Sequence, residues 1–431
     1  MERWAGMPAS EKDIVPPRES SGVTFYPHAK YWRIGGKFYD LNNWLDSHPG
    51  GRQVLLLARD RYEDATFAFE AHHHDFEKVR AILSKYLVKD IVPSPHRLPN
   101  QTYPELCGAD SFYSVLRKRV SKYLRQNGGP GPSSTTLLVF YVILVSWFSF
   151  MFLLYSTGIL WFALFAAITG AWMGGFGHNW VHQMKYRHYS YCLDLLGLSS
   201  ENWLRDHLLQ HHMYTNTPLD NHFEGTSPFL IVDPTRKRSF LQAYVAPFIA
   251  PVFLMFGIPG NYVFQTVELF RGNERLTVGK FFLPIECALF YYGWGLYGLF
   301  LIFSMLALTS VYYFIIALAN HNTESSWDIE KRNNCKDWGE VQLVAATDVG
   351  VGLGFYGSML YLWLNLHTVH HLFPHVDITH HSAIQRILMD TCQEFGIKYS
   401  HSNIWSMYLE MVSTFHAPRH LGNQILYYAG G

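Results

Sequence analysis

Cysteine is scarce in this chain, and none of it is clustered. Cys107, Cys192, Cys287, Cys335 and Cys392 stand far apart with no C-x-x-C pair, which argues against a disulfide framework and against a thiolate-held zinc or iron–sulfur site. Net charge is absent as well. The 34 basic and 34 acidic residues cancel, so no nucleic-acid surface is expected. The stretch 1–22 is polar, carries Pro16-Pro17 and lacks an apolar core. We expect it to be a disordered lead with no cleaved signal, which leaves membrane entry to later segments.

The chain is rich instead in apolar residues (49%) and in histidine, 23 in 431 residues. That length allows roughly two to four domains. The run 135–177 is almost wholly apolar and uncharged, and 281–320 forms a second apolar run. At about 20 residues per crossing, each supplies a hairpin, with spans near 135–156, 158–177, 280–297 and 299–320. Arg117, Lys118, Arg119, Lys122 and Arg125 precede the first hairpin, and Lys185 and Arg187 follow it. The positive-inside rule therefore puts both of its ends in the cytosol. Between the hairpins, 240–264 is interrupted by Pro247, Pro251 and Pro259, and we expect it at the interface. Four crossings keep all the histidine clusters on one side. Gly170, Gly174 and Gly175 have the small-residue spacing of close helix packing.

Before the first hairpin, 31–34 and 37–41 read as a β-hairpin turning on Gly35-Gly36. His48-Pro49-Gly50-Gly51 follows, a tight turn whose backbone can approach a flat ligand while the imidazole points inward. Asp64-Ala65-Thr66, Phe69 and the run His72-His73-His74 come next. Together these residues resemble a cytochrome b5 domain over about 23–90. The resemblance implies haem b with His48 as one axial ligand and, by the family spacing from Phe69, His73 as the other; His74 is the alternative. Two axial imidazoles suit electron transfer. Pro93, Pro95, Pro99 and Pro104 then mark a semi-stiff tether. The stretch 111–126 alternates apolar and basic residues as a membrane-surface helix does, which completes a linker region of 91–134.

The remaining histidines gather in H-x-x-x-H (His178, His182), H-x-x-x-H-H (His207, His211, His212), the isolated His321, and His367, His370 and His371. At i, i+3 and i+4 on a helix such rings share a face and can ligate one metal or two neighbouring ones. His188, His375, His380 and His381 lack that support and read as surface or supporting residues, as do His222 and Asn320, the two of this group closest to a role. Imidazole suits zinc, copper, iron and nickel alike, but a haem donor suits an oxygen-activating iron pair and is of no use to redox-inert zinc.

With the run Asp337-Trp338 to Gln342 and the closing H-H-L-F-P, the chain resembles the cytochrome b5-fused membrane fatty acid desaturases of the front-end type. The resemblance implies an α+β haem domain fused to an all-α integral membrane domain, 135–431, with four transmembrane helices and a cytosolic histidine-rich cap. It also implies two iron ions held by the nine histidines, O2 as co-substrate, NADH electrons arriving through cytochrome b5 reductase, and a lipid substrate, acyl-CoA or acyl-lipid, in the endoplasmic reticulum membrane. Two departures stand out. His367 replaces the usual glutamine of the third box, and Ala317 stands where related acyl-CoA desaturases carry a water-binding asparagine. A hydroxylase on the same scaffold, a sphingolipid substrate and a membrane haem carrier with structural zinc are the competing readings.

Overall fold

The computed structural model describes residues 30–61, 65–73, 76–89, 110–216, 220, 222, 227, 229–232, 238–271 and 274–416. His74, the lead 1–22 and the tether 91–109 lie outside the described residues. Near the N-terminus, Trp32–Ile34 pairs antiparallel with Lys37–Tyr39, Trp32 opposite Tyr39. Gly35 and Gly36 both take positive φ, 59° and 72°, the backbone that a two-residue hairpin turn needs. The helices Arg52–Arg61, Thr66–His72 and Phe76–Leu83 follow. They enclose a small apolar core of Trp32, Leu45, Leu56, Leu57, Phe69 and Leu83. The Trp32 indole N–H donates to the Leu55 carbonyl at 2.7 Å.

Ser111 caps the Phe112–Gln126 helix by accepting from the Ser114 N–H. Phe112, Tyr113, Leu116, Val120 and Leu124 are buried, and the helix packs on His381–Phe395 and Trp338–Ala345. Its amphipathic pattern is therefore answered by protein. Sequence periodicity alone reads the same for a lipid-facing helix and for one packed on a partner.

Ser134–Thr157 and Leu296–Ala319, each of 24 residues, are long and apolar enough to cross a membrane. Leu138, Val145 and Phe152 on the first and Leu296 on the second face outward. Trp161–Trp180 lies between them and is buried along most of its length. Gly170 and Gly174 permit this packing, because an added Cβ would press on Trp147 and Thr309 at the first and on Tyr313 at the second, while Gly175 lies against the Leu362 carbonyl of the cap. Phe282–Trp294 has only 13 residues, about 20 Å at 1.5 Å per residue, shorter than the expected 280–297 span. Ala246–Leu254 and Gly257–Phe270 bend by 71° at their break, a consequence of the proline-rich sequence, and count as at most one span. Among the described residues, two helices are thus long and apolar enough to cross a membrane, or three spans if the bent pair is one.

A polar cap follows each apolar hairpin. Ser200–Asn202, Trp203–His211 and His212–Tyr214 run on as one rod whose middle is a π-helix. With i→i+5 bonding, this stretch brings His207 and His212 together, their rings nearly perpendicular and their Nε2 atoms 3.0 Å apart. A regular α-helix favours i, i+3 and i+4 neighbours instead. The short helix His367–Leu372 is buried throughout.

Candidate metal centre

The cap gathers all nine expected histidines into two adjacent sets. His178, His182, His207, His212 and His370 offer nitrogens within 4.8 Å of one another, and so do His211, His321, His367 and His371. Four separate stretches of chain supply them. His178 lies in the last turn of the Trp161–Trp180 helix and His182 just past it, His321 lies just past Leu296–Ala319, and the other rings come from the π-containing rod and from His367–Leu372. His367, the departure from the usual third box, is an integral member: its Nε2 lies 2.7 Å from His321 Nε2.

The hydrogen bonds fix what these nitrogens can do. His211 Nδ1–H donates to the Asp220 carboxylate at 2.9 Å, and His321 Nδ1–H donates to the Ala345 carbonyl at 3.0 Å. Both partners only accept. A neutral imidazole has one N–H, so the two Nε2 atoms, 3.2 Å apart, face each other as lone pairs. His371 Nδ1–H donates to Gln342 Oε1 at 3.0 Å, and its Nε2 is buried without a partner. His178 Nδ1 meets the Tyr313 hydroxyl at 3.1 Å, with its Nε2 2.9 Å from His370 Nε2. Both His182 nitrogens are buried and unpartnered. Converging lone pairs repel until a cation sits among them, and hydrogen bonds at the far nitrogen are the usual device for orienting metal-bound histidine. Burial also pushes His211 and His321 down to about 3 and lowers His207, His212, His367, His370 and His371 well below the ordinary value. The rings are therefore neutral at pH 7, the ligating form. The residues present fit two metal ions of the imidazole-preferring type.

A second constellation lies in the N-terminal domain. The His48 and His73 rings face each other with centres 6.1 Å apart and planes at 69°. Imidazole–metal bonds are about 2 Å, so two such ligands on opposite sides of one ion put the ring centres roughly 6 Å apart. His73 Nδ1–H donates to the Phe69 carbonyl at 2.7 Å, which leaves Nε2 as the ring's acceptor. A Cβ on Gly50 would press on the His48 ring at 2.6 Å, which explains the glycine in that turn. These residues fit a bis-imidazole haem.

The haem-slot domain docks directly on the cap. Thr66–His72 packs on His212–Tyr214. The buried Glu70 carboxylate accepts from Arg117 at 2.9 Å and from Arg80 at 2.5 Å, and Gln53 donates to Glu201 at 3.3 Å.

Among the residues set aside from the ligand list, His222 lies flat on His211, centres 4.3 Å apart and planes at 8°, and forms a third group with His207 and His211. Asn320 Nδ2 donates to the Leu364 carbonyl. His380 bonds to the Gly131 carbonyl and His381 to that of Val376. Asp220 and Tyr313 went unread in the sequence; Asp220 lies nine residues past His211 with no motif around it. Gln342 was within reach, since it closes the Asp337 to Gln342 run.

These features define a class, and comparison with known proteins identifies it. The chain belongs to the fatty acid desaturase family, whose model matches residues 153–403. A cytochrome b5-like haem/steroid-binding domain matches 26–92, so this is a cytochrome b5-fused desaturase. It is 26% identical over 423 residues to the acyl-lipid (8-3)-desaturase of Physcomitrium patens, covering 86% of this chain and 85% of that one. To the chloroplastic acyl-lipid (7-3)-desaturase of Chlamydomonas reinhardtii it is 28% identical over 421 residues, covering 85% and 76%. To a Drosophila melanogaster protein named cytochrome b5-related protein it is 26% identical over 385 residues, covering 84% and 83%. No solved structure matches.

Proposed function

We propose that this protein introduces a cis double bond into the acyl chain of a membrane lipid, consuming O2, with two iron ions held by the nine histidines. The observation that carries the proposal is the division of those histidines into sets of five and four with lone pairs facing one another. The names of the plant and algal relatives favour an acyl-lipid over an acyl-CoA. Four crossings, with the bent 246–270 segment at the interface, keep the cap and the haem domain together on the cytosolic face of the endoplasmic reticulum. The Val278–Phe281 turn extends the short Phe282–Trp294 limb.

Removing two hydrogens from a –CH2–CH2– unit while reducing O2 to two waters requires two further electrons and two protons. NADH supplies the two electrons, one at a time, through cytochrome b5 reductase and a haem b that His48 and His73 would hold; its oxidation releases one of the protons and solvent supplies the other. Direct packing of Thr66–His72 on His212–Tyr214 supports that route. The two irons, when bound, supply the oxygen-reducing and C–H-cleaving chemistry. The protein's part is to hold and orient. Asp220, the Ala345 carbonyl, Gln342 and Tyr313 fix four imidazoles by their Nδ1 atoms, so that Nε2 faces inward. The buried cap keeps water from the reacting carbon.

Expression in a host lacking polyunsaturated lipids, followed by mass spectrometry of the lipid pools, tests the reading. A new alkene is expected from the intact chain and none from His370→Ala. No alkene in any pool sinks the desaturase reading, and a hydroxylated chain in its place makes the enzyme a hydroxylase.

A further inference from the structure

Arg187 occupies an unusual position. It lies in the Met184–Ser190 turn that follows the first histidine box, yet its guanidinium reaches across to the haem-slot domain. Nη2–H donates to the Gly50 carbonyl at 3.4 Å and Nε–H to the Val181 carbonyl at 3.2 Å. Nη1 lies 3.8 Å from where a Cβ on Gly51 would sit. Gly50 and Gly51 belong to the turn that presents His48, and the cation is near enough to disfavour protonation of both His48 and His72.

What the cation lacks is an anion. Arg52, Arg117, Arg119, Arg205 and Arg275 each pair with a carboxylate, but among the described residues Arg187 meets only the two carbonyls. Burial alone pushes it down to about 10, with no acidic group offsetting the shift. Arg187 is only partly buried, and a guanidinium with no carboxylate partner among the described residues and its Nη1 in no hydrogen bond is shaped to grip one.

Haem brings two carboxylates. The porphyrin is apolar except for its propionates, so its apolar edge turns towards the domain's buried apolar residues, Leu45, Leu56 and Phe69 among them, and its propionates towards the surface, where Arg187 meets the turn that presents His48. We propose that Arg187 is a haem-propionate anchor supplied by the membrane domain, so that haem is held by both domains at once and its binding fixes the docked pose. This inference rests on the bis-histidine haem reading above.

The test measures haem transfer from the purified full chain to an excess of apo-globin, using chain reconstituted with haem b or with haem dimethyl ester, whose carboxylates are capped. R187Q is expected to speed loss of haem b at least fivefold and to leave loss of the ester unchanged. R187M, which keeps the apolar stem, repeats the comparison should R187Q fail to fold. Equal acceleration for haem b and ester makes Arg187 a merely structural residue and overturns the proposal, as does an unchanged rate with haem b. Failure of the intact chain to take up any haem refutes the haem reading itself, a separate outcome visible in the absorption spectrum before any transfer is measured. Lipid products play no part in the readout.

Discussion

Asp220→Asn is the most instructive single change at the metal centre. The Asp220 carboxylate accepts from His211 Nδ1 at 2.9 Å, from the Asn216 N–H at 3.0 Å and from the His222 N–H at 3.1 Å. The carboxylate uses both oxygens, Oδ2 for His211 Nδ1 and the Asn216 N–H and Oδ1 for the His222 N–H, whereas an asparagine of the same shape has one acceptor oxygen. With that oxygen kept towards His211 and Asn216, the NH2 faces the His222 N–H, and two donors cannot share that contact. His211 Nδ1–H then donates to a neutral amide and loses the charge-assisted part of the bond that holds its Nε2 towards the set with His321, His367 and His371. Losing an outer partner of this kind typically weakens a metal site by 10- to 100-fold, roughly 1.4 to 2.7 kcal/mol. Non-haem iron retained against a graded chelator should therefore fall by that factor in D220N. Haem content should be unchanged, since His48 and His73 belong to the other domain. If D220N keeps its iron at the wild-type chelator midpoint, the Asp220 carboxylate does not hold His211 for ligation and that part of the account falls.

Other consequences follow from particular contacts. His48→Ala and His73→Ala should each abolish the bis-imidazole haem spectrum, whereas His72→Ala should keep it; a spectrum lost only in His72→Ala would reassign the ligand. Gly175→Ala should destabilise the protein by about 1–3 kcal/mol through overpacking, because the Leu362 carbonyl is backbone and yields little; an unchanged thermal midpoint in detergent would refute it. Burial raises Asp194 from the ordinary carboxyl value to about 7, so the folded state holds the proton longer than the unfolded one. The stability this confers is fully present below about pH 4 and is lost as pH rises towards 7. Thermal scans of D194N should therefore show a flatter pH dependence across that window, and a parallel profile would contradict the assignment.

Local chemistry made much of this molecule readable in advance. The Gly35-Gly36 hairpin and the His48 turn depend on residues within a few positions of each other, and their conformational demands are written in the glycines. The histidine boxes were legible because ligation needs several imidazoles, and their spacing survives as a pattern. What the sequence could not show depends on distant pairings. The split into five and four requires His178 to meet His370 and His211 to meet His321, across 192 and 110 residues. The π-helix that turns His212 towards His207 breaks the periodicity that pattern reading assumes. Asp220 and Tyr313 are single polar residues whose role exists only once a ring is against them. The basic helix Phe112–Gln126 shows the ambiguity from the other side, since its apolar stripe fits lipid and protein equally and only the packing of Tyr113 under Asp337 and Leu372 decides.

The central claim is that electrons entering at the haem are spent on desaturation at the histidine cap. Its most direct test is stoichiometry in a purified system of this chain, reductase, NADH, O2 and acyl-lipid. One alkene per O2 and per NADH consumed is the predicted result. Haem-dependent NADH oxidation that proceeds with lipid present and leaves no double bond would contradict it.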